Sequence, residues 1–380
     1  MGWIVKYVVT EAHATEYPDP IAVRQGEKVI VEIEHDDEWP NWFFCKKLDG
    51  SNGGWIPEQI IRKQKTHGLI TEDYSARELS VRKERTVNGF RELNGWVWCE
   101  CESAHETGWV PLKNLKRKGA RTIKEIPNEV LERLNRGEIE TANLVEWLAI
   151  DRRVLLENLL AGHGRKKYLR PILKKVDGLE KQTTITVAEA IGAGLYEQVS
   201  ANGDDDFFRA ISTHRSDFVR SWAADVVGRN IEQGIGQMLL GIKPFAADGH
   251  FNVRESAWSS ARLGIIRNLR ESLAILSAWA KDADENVRRF ASEATRPRGV
   301  WCEHIVELKQ TPELGLPILE PLKSDESNYV RLSVGNWLND ASKSAPEFVR
   351  RLCERWEQES DTKETRHIVK RALRTLAKSD

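Results

Sequence analysis

Five valines, each followed by a basic residue, place the tightest constraint on what this chain can fold into. They are Val219-Arg220, Val253-Arg254, Val287-Arg288, Val330-Arg331 and Val369-Lys370, each preceded by a short acidic or polar turn, at successive spacings of 34, 34, 43 and 39 residues. A helix pair with its turns needs about that many residues, and self-similarity at a period of about 20 to 50 residues marks a stacked repeat architecture. One such unit cannot bury its apolar face alone, so each must lie on the next. From about residue 125 the apolar spacing is helical, as in NEVLERLNRGEIETANLVEWLAIDRRVLLENLL, with caps and breaks every 12 to 20 residues.

The valine of each pair is expected to face the stack while the following arginine emerges beside its neighbours. This resembles HEAT repeats, and it implies a superhelical all-α solenoid with one or two degenerate units before Val219. A basic row of Arg220, Arg254, Arg288, Arg289 and Arg331 would then line its concave face. The alternative is a ladder, in which each arginine pairs with an aspartate of the adjacent repeat.

The first 118 residues have a different texture. They hold seven of the 14 tryptophans, and short alternating runs such as VIVEIE at 29–34 and GWVWCECE at 95–102 read as strands. Two copies of one skeleton are visible: a Trp, a strand, then Gly-Trp-(Ile/Val)-Pro. Trp39 or Trp42 precedes Gly54-Trp55-Ile56-Pro57 in the first copy, and Trp96 precedes Gly108-Trp109-Val110-Pro111 in the second. The skeleton resembles the SH3 fold. The expected organisation is therefore multidomain: two small all-β SH3-like barrels at 1–64 and 65–118, a linker at 119–126, and the HEAT-like α-solenoid at 127–380. In the SH3 likeness Trp39, Trp55 and Pro57 would bind a peptide, proline-rich or basic, because a polyproline segment is already extended and loses little entropy on docking. The acidic run His35-Asp36-Asp37-Glu38 would attract a basic residue beside the prolines. The second copy keeps Tyr74 but few acids.

Charge narrows the partners. With 57 Lys and Arg against 58 Asp and Glu, the chain is nearly neutral, so any surface for a polyanion must be local. One local excess lies at 152–181, where Arg152, Arg153, Arg165, Lys166, Lys167, Arg170, Lys174, Lys175 and Lys181 face only Glu157, Asp177 and Glu180. No run reaches the roughly 18 apolar residues of a membrane span and no secretory leader is visible, so a cytoplasmic protein without membrane partners is expected. The five cysteines are too few and scattered for a disulfide framework or a metal site, and are expected as reduced thiols.

The segments DENVRRFASEATRPRGVWCEHI (284–305) and PILEPLKSDESNYVRLSVGNWLNDASKSAPEFV (317–349) resemble the DNA alkylation repair family of the AlkC and AlkD type, with a weaker likeness back to 134–156. The resemblance implies an α-solenoid that cradles double-stranded, alkylated DNA and excises N3- or N7-alkylpurines as a monofunctional glycosylase, with no metal and no organic cofactor. It implies DNA contacts from Arg254, Arg288, Arg289, Arg296, Arg298, Trp301, Arg331 and Lys343. Where AlkC-type enzymes carry a catalytic carboxylate just before a Val-Arg pair, this chain has His250-Phe251-Asn252-Val253-Arg254. A protonated histidine there would repel an oxocarbenium ion.

The chemistry asks little of the protein. An N3- or N7-alkylated purine is cationic and already a good leaving group, so a carboxylate to stabilise the sugar cation and aromatic faces to hold the charged base suffice. Asp248 and Glu255 are the acids nearest His250, and Trp258 lies one helical turn beyond Glu255; these three form the preferred catalytic constellation. Trp222, Trp301 and Trp337 with Asp225, Glu293 and Asp340 are the remaining aromatic and acidic candidates. Two other readings stay open: a non-catalytic DNA-structure binder of the same fold, and a protein-interaction adaptor built from HEAT and SH3-like parts.

Overall fold

A computed structural model describes the chain except residues 1–3, 16, 18, 34–39, 65–66, 102–104, 300–301 and 379–380. It divides into a β unit, residues 1–132 with 142–149, and a helical unit, residues 133–141 with 150–380. The expected linker at 119–126 belongs to the β unit and contains a single helical turn, Ile123–Glu125.

Among its described residues the β unit has twelve strands: β1 (Val5–Val9), β2 (Ala22–Val23), β3 (Lys28–Ile33), β4 (Trp42–Lys47), β5 (Gly53–Pro57), β6 (Ile61–Lys63), β7 (Gly68–Ile70), β8 (Tyr74–Ser75), β9 (Thr86–Leu93), β10 (Trp96–Cys101), β11 (Thr107–Pro111) and β12 (Leu115–Arg117). They form two five-stranded antiparallel sheets, β5-β4-β3-β7-β6 and β11-β10-β9-β1-β12, and the short pair β2-β8.

The duplication is visible in the register. In one sheet Gly54 lies opposite Cys45, Trp55 opposite Phe44 and Pro57 opposite Trp42; in the other Gly108 lies opposite Cys99, Trp109 opposite Trp98 and Pro111 opposite Trp96. Both glycines are needed for close approach. A Cβ on Gly54 would sit 2.8 Å from Ile21 Cγ2, and one on Gly108 would sit 2.7 Å from the Glu78 carbonyl carbon. Burial pushes the Cys45 and Cys99 thiols up to about 12, which keeps both protonated.

The expected division at residue 64 is corrected by the topology. β1 pairs with β9 and β12 of the second sheet, while β7, which follows residue 64, pairs with β3 and β6 of the first. The sheets are thus interlaced rather than two successive closed barrels. They also share a core: Trp109 is buried with Trp42, Phe43 and Ile56, and Trp96 and Trp98 pack against that cluster.

The helices are α1 (Asn128–Asn135), α2 (Leu144–Ala149), α3 (Arg152–Gly162), α4 (Leu169–Asp177), α5 (Thr184–Asn202), α6 (Asp205–Ser212), α7 (Asp217–Arg229), α8 (Ile235–Ala246), α9 (Phe251–Arg267), α10 (Leu269–Trp279), α11 (Glu285–Ala294), α12 (Val306–Gln310), α13 (Leu316–Leu319), α14 (Asn328–Ser342), α15 (Pro346–Glu359) and α16 (Lys363–Ala372). Side chains cap several N-termini, Asp151 for α3, Asp284 for α11 and Thr362 for α16, satisfying amides that have no intrahelical acceptor. Among the described residues no strand follows β12, and no helix is long and apolar enough to cross a membrane.

Val219, Val253, Val287, Val330 and Val369 are all buried, one on each of α7, α9, α11, α14 and α16. Those helices pack in succession, with α5 before α7, to make one row. The helices α8, α10, α13 and α15 pack behind them. The 43-residue interval holds the short α12, α13 and two single helical turns in place of a full first helix. Trp222 and Trp337, considered above as aromatic faces, have no exposed surface and fill the space between rows.

Candidate functional site

Each arginine that follows a signature valine folds back on the turn before its own helix. Arg220, Arg254, Arg288 and Arg331 all donate through Nη1 to the carbonyl six residues earlier, those of His214, Asp248, Asp282 and Asp325, at 2.6–3.0 Å. Arg220 also takes both oxygens of Asp248 at 2.8 and 3.0 Å, and Arg288 both oxygens of Asp325 at 2.7 and 3.0 Å. For Arg220 burial opposes the charge, but the bonds from Asp248 and Glu140 outweigh it and hold its pKa above the ordinary value. The structure therefore places Arg220 and Arg288 in the ladder, not in a free row. Asp248, expected among the catalytic groups, is the ladder partner of Arg220, and its Oδ1 also accepts the amide of His250.

His250 is equally committed. As the N-cap of α9 it accepts the Asn252 amide at Nδ1, while Nε2 lies 2.8 Å from the Thr141 carbonyl oxygen. A carbonyl only accepts, so Nε2 carries the proton. Nδ1 is also 3.3 Å from Oδ2 of Asp217, a fully buried carboxylate that accepts from Thr141 N, Thr141 Oγ1 and Asn252 Nδ2. Burial pushes the Asp217 carboxyl up, against the pull of His250 and these bonds. Position 250 is thus a latch joining residue 141 to α7 and α9.

Glu255 and Trp258 do meet. The Trp258 indole donates to Glu255 Oε2 at 2.8 Å, and Arg289 Nη2 lies 2.7 Å from Oε1. Arg289 stacks over the Tyr329 ring at 4.3 Å, and Arg254 stacks over the same ring at 5.2 Å. The Glu255 side chain is 42% exposed and that of Arg289 only 12%, so in this cluster of one carboxylate, two aromatics and two guanidiniums the carboxylate is the part open to solvent. Tyr329 was missed in the sequence, although it directly precedes Val330 and so shares its turn.

A buried continuation runs across α11 and α14. Arg289 reaches Glu293 at 3.7 Å; Glu293 holds Arg296 at 2.7 Å and accepts from Ser333; Arg296 holds Asp340 at 2.8 Å; and Lys343 closes on Asp340 at 3.5 Å. Burial would raise the Glu293 carboxyl, but the flanking arginines and the Ser333 hydroxyl outweigh it and hold it below its usual range. Beneath the Arg-Pro-Arg run, the buried Arg262 donates to the carbonyls of Ala294, Arg296 and Glu303 and so sets the shape of that loop.

The other expected DNA contacts are placed as follows. Arg298 donates to Ser344 Oγ, and Arg331 also reaches His367. Trp301 lies outside the described residues, as do Trp39 and the acidic run 35–38. In the 152–181 cluster, Arg153 pairs with Asp177, Arg165 with Asp204 and Lys175 with Glu197. Lys166, Arg170, Lys174 and Lys181 are exposed. Arg152 is buried over Phe218, and burial lowers its pKa to about 10. Among the described residues no group of three His, Cys, Asp or Glu side chains is placed to hold a metal ion.

One partly buried carboxylate in the row has neither ion-pair nor hydrogen-bond partner among the described residues. Asp225, on α7, packs against Gly192 of α5, where a Cβ would come within 2.5 Å of its Oδ2. Burial raises its pKa to about 7, with Arg229 pulling down and Glu189 pushing up.

A family model described as DNA alkylation repair enzyme matches residues 257–376, from within α9 to the end of α16. The uncharacterized protein YhaZ of Bacillus subtilis is 44% identical over 114 residues, which are 30% of this chain and 31% of that protein. The chain thus spans about a third of the curated relative it matches. Among solved structures, the Pseudomonas fluorescens alkylpurine DNA glycosylase AlkC bound to DNA containing an abasic site analog is 26% identical, with 68% of this chain and 66% of that one covered at a TM-score of 0.49. AlkD2 from Streptococcus mutans is 23% identical, with coverages of 55% and 97% and a TM-score of 0.43.

Proposed function

We propose that the helical unit binds double-stranded DNA and releases cationic N3- or N7-alkylpurines as a monofunctional glycosylase. The observation that carries this reading is the match to DNA alkylation repair enzymes over 257–376, a span that takes in Trp258, Arg289, Glu293, Arg296, Tyr329 and Asp340. The half-exposed Glu255 and the neighbouring Trp258 supply the chemistry. The π-face of Trp258 attracts a charged base, by about 0.5 to 2 kcal/mol, and so favours it over its neutral parent, while the Tyr329 ring is taken up by Arg254 and Arg289. When the glycosidic bond breaks, its electron pair leaves with the base and cancels that charge. The sugar becomes an oxocarbenium ion, which the Glu255 carboxylate, held in place by Arg289 and the Trp258 indole, stabilises. Water then bonds to the sugar carbon and gives up a proton. The test is release of 3-methyladenine or 7-methylguanine from alkylated duplex DNA.

A second reading is favoured by one observation. His250 closes the position where an AlkC-type acid is expected, which suits a relative that binds DNA without cleaving the base. Salt-sensitive duplex binding with no base release in the same preparation would select it.

A further inference from the structure

The ladder of ion pairs gives way to a different pairing at the end of the row. Arg220, Arg288 and Arg296 each close on an aspartate of the next repeat, but between α14 and α16 the partner is an asparagine. Arg371, on α16, donates through Nε to Asn336 Oδ1 at 2.9 Å, and Arg374, in the turn after α16, donates through Nε to Asn339 Oδ1 at 3.0 Å. Neither guanidinium has an ion pair or a further hydrogen bond among the described residues, so both Nη groups of each are left over.

The pair is set in place by α14. Asn339 is buried, and its Nδ2 donates to the Ala372 carbonyl at 3.1 Å and to Thr375 Oγ1 at 2.8 Å, which turns Oδ1 toward Arg374. Gly335 lets the stem of Arg371 lie against the helix, since a Cβ there would come within 2.8 Å of Arg371 Cβ. Asn336 and Asn339 are three residues apart, about 4.5 Å along the axis, so the guanidiniums they hold stand side by side. Burial lowers the pKa of Arg371, and Arg374 and Arg296 lower it further, as happens where cations gather without a counter-ion. Asp340, next to Asn339, is already held by Arg296 and Lys343, and Asp380 lies outside the described residues. Arg371 is half-buried and Arg374 exposed. A guanidinium anchored at Nε still offers both Nη groups to an oxyanion. A planar carboxylate serves one such fork, whereas a tetrahedral phosphate can turn oxygens to two.

We propose that Arg371 and Arg374 form a phosphate-binding site of the helical unit, and that the phosphate it takes belongs to the backbone of DNA. Neither residue is among the DNA contacts implied by the family resemblance. The choice of DNA as the source rests on the function proposed above; the site itself rests on the guanidinium pair.

The test measures binding of the whole chain to a short unmodified duplex by fluorescence anisotropy across a salt series. Arg371→Gln combined with Arg374→Gln should weaken binding about tenfold at low salt and flatten the slope of log Kd against log salt by about one, the share of a single phosphate. Asn336→Asp, which completes one rung with a carboxylate, should weaken binding by about threefold or more while the melting temperature holds or rises, a combination that a merely structural arginine does not give. Affinity and slope untouched by both changes overturn the DNA assignment. A second arm reads the rise in melting temperature that inorganic phosphate gives over chloride at equal ionic strength. Loss of that rise in the arginine variant, with duplex binding unaffected, marks a site for free phosphate instead. No rise in the wild type, together with unaffected duplex binding, overturns the site altogether. A wild type that binds no duplex, yet loses its phosphate response in the variant, fails the DNA reading and keeps the site.

Discussion

The guanidinium of Arg220 on α7 closes on both carboxylate oxygens of Asp248, 28 residues later, at the entrance to α9. Each side chain is only 12–13% exposed, so the bond ties consecutive repeats together in a region where neither charge could stand alone. Breaking such a buried pair by removing one partner costs about 3 to 5 kcal/mol.

Asp248→Asn is therefore expected to act on stability. It should lower the unfolding free energy by about 3 kcal/mol in urea or thermal denaturation, and change base release only as far as the folded fraction falls. A large loss of activity in a variant of unchanged stability would return Asp248 to the catalytic group.

Glu255→Gln should behave in the opposite way. The side chain is half exposed, and the amide can still accept from Trp258, so the fold is expected to survive. Base release should fall by about 100-fold, the scale of one lost electrostatic contact to a transition state. Trp258→Phe, measured beside it, should weaken discrimination between 7-methylguanine and guanine more than it weakens DNA binding.

His250→Glu would set a second carboxylate against the buried Asp217 and remove the donor to Thr141. Like charges in so buried a place are mutually destabilising, and the variant should lose about 3 kcal/mol or fail to fold. A soluble His250→Glu protein with raised alkylpurine release would show instead that position 250 is an open acid site.

Asp225 gives a pH signature. Its folded pKa, about 7, lies above that of the unfolded chain, so between about pH 4 and pH 7 the folded state holds a proton that the unfolded state has lost. Stability should accordingly decline as pH rises through this window, by as much as about 2 to 4 kcal/mol. Asp225→Asn, which mimics the protonated form, should match the wild type near pH 4 and exceed it near pH 8. Parallel stability curves for the two proteins across that range would remove Asp225 as a titrating group.

How much of this could be read from the sequence depends on the range of the interactions. The repeat was legible because each signature valine must enter the stack, and all five do. The ladder was half legible, since Asp248 and Asp325 each stand five residues before a signature valine. Whether an arginine reaches its own turn, a neighbour's aspartate or solvent depends on contacts 28 to 37 residues away, as Arg220 and Arg288 show. The meeting of Glu255 with Trp258 followed from helical spacing, but its link to Tyr329 crosses two repeats. The interlacing of the sheets was hidden, because β1 and β7 are short apolar runs that could equally have paired with their nearest neighbours in sequence.

That interlacing sets an order of events during synthesis. Val9 pairs with Leu115 and Tyr7 with Arg117, so the first strand leaves the ribosome over a hundred residues ahead of its partner. At translation rates of about 5 to 20 residues per second it waits roughly 5 to 20 s, during which its apolar edge has no complete sheet to join. β1 is thus a late clasp, and until it closes the nascent β unit is open to chaperones and to mispairing with its own duplicate.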